Sequence, residues 1–153
     1  MDLAIGNTYI LEKQYVGHVD MTNQASIDAV FGPEQPLPVT IYPGQRMLLS
    51  TRDSYKIPSG VIGKIGMRSS YGRMGFLSPA TNADPGFEGQ LTMSLKNISN
   101  QPILIRPGDK IWTIHYVQLM ERTEGFYDGR YQGQTGIQPP IAVPIFTLDP
   151  HKD

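Results

Sequence analysis

The sequence predicts an all-β domain made of many short strands, and three observations carry that reading. Apolar runs are brief, and several alternate with polar residues, the period-two pattern of half-buried strands. Turn-forming pairs such as Pro43-Gly44, Ser59-Gly60 and Pro107-Gly108 punctuate those runs at roughly ten-residue spacing. Long helices are disfavoured in a chain of 153 residues that carries 16 Gly and 13 Pro. Together they point to a sandwich or barrel. The length fits one domain with a substantial core.

The elements follow in chain order. Val39-Thr40-Ile41-Tyr42 forms a strand that stops at Pro43-Gly44, and residues 46–51 form the next. Residues 61–66 alternate after the Ser59-Gly60 turn. Residues 68–74 suit a short helical turn with Ser69 or Ser70 as its cap. Residues 90–95 and 102–105 are strands, and residues 110–117 follow Pro107-Gly108 as the last one. The chain then changes character: residues 125–136 are rich in Gly, Tyr and Gln, and residues 139–150 are punctuated by proline. Such a tail is expected to stay out of the core, as a mobile arm or one that docks on a neighbour. We therefore expect a β-domain over residues 1–124 and an arm over residues 125–153.

Charged residues make up 18% of the chain and the net charge is -1. That balance lacks the basic excess that duplex nucleic acid or an anionic membrane calls for, so neither is expected as a partner. A small anionic ligand remains possible, because it needs only a few well-placed donors. There is no cysteine, which closes off disulfides and thiolate metal sites and fits a reducing compartment. Met1-Asp2-Leu3-Ala4 has neither the basic nor the apolar region of a signal peptide. No apolar stretch approaches the ~20 residues that span a bilayer. A cytoplasmic protein is expected.

Three segments can carry chemistry. Gly66-Met67-Arg68-Ser69-Ser70-Tyr71-Gly72-Arg73 places two arginines and two serines within six residues. Guanidinium groups match phosphate oxygens, and hydroxyls add neutral donors to the same group. Taken alone, the segment equally suits a polar surface turn. Ala80-Thr81-Asn82-Ala83-Asp84-Pro85-Gly86-Phe87-Glu88-Gly89-Gln90 gathers two carboxylates, an aromatic ring and two glycines before a strand. An Asp held there can act as general base on water, and Phe87 can face a sugar or base. An ordinary hairpin, for which Asp-Pro-Gly is common turn chemistry, fits equally well. Arg130-Tyr131-Gln132-Gly133-Gln134-Thr135-Gly136 offers donors on a closable, glycine-rich segment, or serves as a flexible linker. His18, His115 and His151 share no metal-ligand spacing, and zinc deaminase chemistry lacks its cysteine ligands.

The order of the pieces is more informative than any one of them. Gln24-Ala25-Ser26-Ile27-Asp28 comes first, then Val39 to Gln45, Gly66 to Arg73 and Asp84 to Gln90. Arg106-Pro107-Gly108-Asp109-Lys110-Ile111 and Tyr131-Gln132-Gly133-Gln134 complete the succession. It resembles the metal-independent dCTP deaminases and their relatives, the trimeric dUTPases, over about residues 20 to 136.

The resemblance implies a distorted β-barrel or jelly-roll subunit in a homotrimer, with active sites between subunits. It implies a deoxypyrimidine nucleoside triphosphate as substrate and Mg²⁺ as cofactor, with Asp28 associated with the metal through water. By the same resemblance Arg68, Ser69 and Ser70 hold the phosphates, Ser69 near the α,β-bridge, and Ser69 and Arg73 join Asp84 as the catalytic residues. Ala80, Thr81 and Asn82 read the pyrimidine edge, and Phe87 packs on the deoxyribose. Gln90, Arg130, Tyr131 and Gln134 complete the binding set, Asp84 activates water, and the arm over residues 125–153 closes over an active site. Deaminases carry a Glu four residues after the Gln90 position, where this chain has Ser94. A serine cannot hold a proton taken from water near neutral pH. Thr113 stands where both branches often carry Gln. We therefore expect dUTP hydrolysis to dUMP and pyrophosphate; dCTP deamination, a bifunctional enzyme and a non-catalytic nucleotide-binding trimer are the alternatives.

Overall fold

In a computed structural model the chain is described over residues 1–14, 16–121 and 125–145. His151 and the end of the expected arm, residues 146–153, lie outside the described residues, as do residues 122–124. The chain begins with β1 (Asp2–Glu12), α1 (Gln24–Asp28), β2 (Phe31–Pro36), β3 (Val39–Ile41) and β4 (Arg46–Thr51). It continues through β5 (Tyr55–Lys56), β6 (Val61–Met67), α2 (Ser69–Arg73), β7 (Phe76–Leu77) and β8 (Thr81–Ala83). It ends with β9 (Glu88–Gly89), β10 (Thr92–Asn97), β11 (Ile103–Ile105) and β12 (Lys110–Gln118). The architecture is all-β: an eight-stranded sheet ordered β7-β10-β4-β1-β12-β6-β8, with β2 added on β1, curls around the core. Two small pairs, β11-β3 and β5-β9, complete it.

β1 joins the two halves. Asp2, Leu3 and Ala4 pair antiparallel with β12, whereas Ile5 to Leu11 pair with β4 and Thr8 to Glu12 with β2. Register shifts between Leu3 and Ala4, and between Ile5 and Tyr9, let one strand leave the first partner and join the second. The same irregularity hides β1 from a periodicity reading, because Leu3, Ala4 and Ile5 are buried in succession. β2 is hidden for another reason. It contains Pro33 and Pro36, which a strand tolerates where it pairs on one side only, and β2 pairs only with β1.

The strands expected from alternation are present. β10 starts two residues later than expected, because Gln90 and Leu91 bond to β4 and its exit: Leu91 N–H donates to Thr51 Oγ1 at 2.9 Å. The short helix is present as α2, but its cap differs. Arg68 occupies the N-cap with no side-chain capping bond, and Ser69 and Ser70 lie inside the helix. Asn23 does cap α1, accepting from the Ser26 N–H.

The main core lies inside the curled sheet and is led by Leu3, Ile41, Leu49, Leu95, Ile111 and Trp112. Trp112 is 1% exposed and its indole N–H donates to Ser78 Oγ at 2.9 Å, so the ring is buried with its polar atom satisfied. Asn97, fully buried, donates to the Ile41 and Gln101 carbonyls and accepts from Ser99, tying β10 to the turn after it. A second cluster forms on the outer face of β4 from Ile10, Ile27, Phe31, Leu48 and Ile137. Ile137 corrects the expectation that the tail stays out of the core. The arm returns to its own domain, and this residue is only 8% exposed. No helix among the described residues is long and apolar enough to cross a membrane.

Candidate functional site

The site is built on one hairpin. β8 runs antiparallel to β6, with Thr81, Asn82 and Ala83 opposite Ile65, Lys64 and Gly63. Asp84-Pro85-Gly86-Phe87 then makes a turn closed by Phe87 N–H to Asp84 O at 3.0 Å. Proline at the second position and Gly86 at φ +86° at the third give the type II pattern. The turn is pinned to Ile57, the residue after β5, by Gly86 N–H to Ile57 O and Ile57 N–H to Phe87 O, each 2.9 Å. A common turn sequence is thereby fixed at a definite angle to the barrel, with Asp84 exposed and Phe87 buried beneath it.

The arm closes on this hairpin through its backbone. Tyr127 N–H donates to Pro85 O at 2.9 Å, Gly133 N–H to Glu88 O at 2.8 Å, and Gln90 N–H to Gln134 O at 2.9 Å. Gly89 has φ +149°, and a Cβ there would lie 2.8 Å from the Gln134 carbonyl oxygen. The glycine is therefore required by the arm's approach. Gln90 is the anchor. Its Nε2 donates to the Thr51 and Arg52 carbonyls at 2.8 and 3.0 Å, and its Oε1 accepts from Gly136 N–H. Gln132 straddles the turn, accepting from Glu88 N–H and donating to Gly86 O, both 2.9 Å.

Between barrel, hairpin and arm lies a cavity of about 350 Å³. Thr81, Asn82, Ala83, Asp84 and Phe87 line it from the hairpin. Arg46 and Leu48 of β4 and Thr92 and Ser94 of β10 line it from the barrel. Tyr127, Tyr131, Gln134, Gln138 and Pro140 close it from the arm. Tyr127 meets the Phe87 ring edge-on at 5.8 Å. Asp84 is the one carboxylate among these lining residues. Ser94, half-buried in the same wall, makes no side-chain hydrogen bond to a described residue.

The expected residues thus separate into two groups. Thr81, Asn82, Asp84, Phe87, Tyr131 and Gln134 line the cavity. Gln90 lies behind it as the arm's anchor, and Ala80 is exposed at the entry to β8. Arg130 donates through Nη1 to the Ile141 and Ala142 carbonyls, which holds the arm's own bend. Arg68, Ser69, Ser70 and Arg73 are elsewhere, on and before α2. Arg68 reaches Lys110 O at 3.2 Å and Asp2 at 3.5 Å. The two serines and Arg73 are exposed and make no side-chain hydrogen bond to a described residue.

Sequence reasoning missed Arg46, which lines the cavity, and Glu12, its partner at 2.8 Å. The available signal was the i, i+2 spacing of Arg46 and Leu48, which places both on one face of the strand. The Arg46 hydrogen bonds hold the Glu12 carboxyl below its usual range, opposed by burial and helped by the charges of Arg46 and Lys96. Tyr127, Gln138 and Pro140 were missed because a Gly- and Pro-rich tail reads as solvent-facing.

Asp28 is exposed on α1 and accepts from Gln24 at 2.7 Å. Gln24 also bonds to the Pro140 carbonyl and Ala142 N–H of the arm, which brings α1 to the cavity's lip. No group of three or more His, Asp or Glu capable of holding a metal occurs among the described residues.

Comparison with known proteins places this geometry. The dCTP deaminase-like family profile matches residues 1–119. A Methanosphaera stadtmanae protein named dCTP deaminase, dUMP-forming, is 32% identical over 149 residues, covering 90% of this chain and 76% of that protein. An Aeropyrum pernix dCTP deaminase is 39% identical over 102 residues, 67% of this chain and 57% of its own length. Among solved structures, the 2'-deoxycytidine 5'-triphosphate deaminase of Agrobacterium tumefaciens matches with TM-score 0.69 at 17% identity, over 81% of this chain and 43% of that one. A native EIAV dUTPase matches with TM-score 0.50 at 19% identity, over 61% of this chain and 78% of that one. At those identities the two structures speak for the fold, a dUTPase-like one, while the sequence matches settle descent: the chain belongs to the dCTP deaminase-like family.

Proposed function

We propose that this protein hydrolyses dUTP to dUMP and pyrophosphate. The observation that carries this reading is the composition of the cavity wall: Asp84 is its one carboxylate, and the position four residues after Gln90 is Ser94. The pyrimidine seats against the Thr81–Ala83 strand, with the deoxyribose near Phe87. Asp84 takes a proton from a water molecule, the water oxygen bonds to the α-phosphorus, and the bond from that phosphorus to the α,β-bridging oxygen breaks. Pyrophosphate leaves, and the described part of the arm, residues 125–145, anchored by Gln90, excludes bulk water.

A triphosphate needs more positive charge than this cavity wall holds. Its one cation, Arg46, is already paired with Glu12. The exposed hydroxyls of Ser69 and Ser70 and the guanidinium of Arg73 have the required chemistry but lie outside the cavity. We therefore assign them to a neighbouring copy's site, in a homotrimer whose active sites lie between subunits, with Arg68 beside them and Arg130 and Gln134 on the arm. Asp28, exposed on α1, would hold Mg²⁺ through water, since this ion commonly keeps several waters and uses one or two carboxylates plus substrate phosphates. When bound it neutralises charge on the phosphates. The cysteine-free composition suits catalysis in the cytoplasm.

A second reading, deamination of dCTP followed by hydrolysis, draws on the dUMP-forming relatives. Turnover in ¹⁸O-labelled water tests the leading one: label enters dUMP, and Asp84→Asn stops its incorporation while leaving the oligomer intact. Label appearing in pyrophosphate, or undiminished turnover in the variant, removes Asp84 from this role.

A further inference from the structure

Arg46 has no role in the mechanism above, yet it is the only cation in the described wall of the cavity. Leu48 of β4 pairs directly with Ser94 of β10, and Arg46 is two residues before Leu48. Strand alternation puts all three on one face. The guanidinium is held in one orientation. Nε and Nη2 donate to the two Glu12 oxygens at 2.8 and 2.9 Å, and the group lies over the Phe31 ring at 5.8 Å. Those bonds use two of five N–H donors, and a guanidinium has no acceptor with which to compensate. Ser94 adds a hydroxyl with no hydrogen bond to a described residue.

Uracil and cytosine differ on this edge at two adjacent groups: uracil carries a 4-oxo acceptor and an N3–H donor where cytosine carries a 4-amino donor and an unprotonated N3. Of uracil's two groups, the one at the 4-position is the one a donor can read. A wall of fixed donors tells them apart, because a site built to pair one group leaves the wrong one unpaired when buried. We infer that Arg46, oriented by Glu12 and Phe31, is a base-reading residue that with Ser94 donates to the 4-oxo oxygen of uracil and disfavours cytosine. The inference rests on the pyrimidine occupying this cavity, as proposed above, but not on hydrolysis taking place there. Glu12 is then a positioning residue, acting through Arg46.

Binding of dUMP and dCMP by titration calorimetry tests it, because monophosphates report base preference without turnover. Wild type should bind dUMP at least about tenfold more tightly than dCMP, the range expected for a charged hydrogen bond against an unpaired donor. Arg46→Leu should bring the ratio close to one, chiefly by weakening dUMP, and Glu12→Ala should narrow it partway. General damage to the fold would weaken both ligands together and leave the ratio unchanged. If Arg46→Leu fails to fold, Arg46→Lys, which keeps the charge but loses the fork, should narrow the ratio as well. A folded Arg46 variant with an undiminished ratio, or a wild type that favours dCMP, overturns the inference. A normal ratio in a protein that releases no pyrophosphate from dUTP overturns the hydrolase reading and leaves this one standing.

Discussion

The hairpin-and-arm cavity and the α2 segment carry the two halves of the expected site, and they are built in opposite ways. Around the cavity the groups that fasten the arm are engaged: Gln90 and Gln132 each make at least two bonds that tie hairpin, barrel and arm together. On α2 the hydroxyls of Ser69 and Ser70 and the Arg73 guanidinium are exposed and make no such bonds to described residues. The first region is locked together within one chain. The second consists of donors held out, which is what a surface looks like when its ligand is supplied by another molecule.

The strongest way to break this contrast is to separate the halves onto different chains. Asp84→Asn should lower dUTP turnover by roughly 10²–10⁴-fold, the span of general-base catalysis. Arg73→Ala should lower it through the phosphates. Co-refolded in equal amounts, the two inactive variants should recover about a quarter of wild-type activity, since some interfaces then pair an intact Asp84 with an intact α2. No recovery places both halves in one chain's site.

A smaller effect sharpens the cavity side. Gly89→Ala should release the arm, because the added Cβ meets the Gln134 carbonyl at 2.8 Å and φ is +149°. Limited proteolysis within residues 125–136 should accelerate while the barrel stays intact. Gln90→Ala should do the same more mildly, removing bonds worth about 1–3 kcal/mol where they are part-buried. Neither variant should alter the accessibility of Arg73. If arm cleavage is unchanged in both, the arm is held by something other than this lock.

The smallest effect concerns Glu12. Its folded-state pKa lies below the unfolded value, chiefly through the Arg46 hydrogen bonds. A depressed carboxylate stabilises the fold above its unfolded pKa and loses that contribution as pH falls through the folded one. Below the ordinary glutamate value of 4.5, the melting temperature of wild type should therefore fall more steeply than that of Glu12→Gln. Parallel curves would show that the pair contributes little.

Alternation and turn pairs made the inner strands legible, because β4 with β10 and β6 with β12 pair in unbroken register. β1 escaped because its bulge puts three apolar residues inside in succession, and β2 because proline is tolerated at an edge. The turn at Asp84 was legible as chemistry, since Asp-Pro-Gly dictates its own geometry. The burial of Ile137 was not legible for a physical reason: glycine and proline report backbone freedom, and say nothing of the partner that Gly89 and Gln90 provide. Arg46 was invisible as a site residue because its meaning depends on Glu12, 34 positions away.

The central claim is that this cavity directs chemistry at phosphorus rather than at the pyrimidine ring. The most direct measurement supplies Mg²⁺ and either dUTP or dCTP to the purified protein and follows pyrophosphate and ammonia together. Pyrophosphate from dUTP with no ammonia from dCTP is the expected result. Ammonia released from dCTP would contradict the account, because it would require a ring-directed base that Ser94 does not supply.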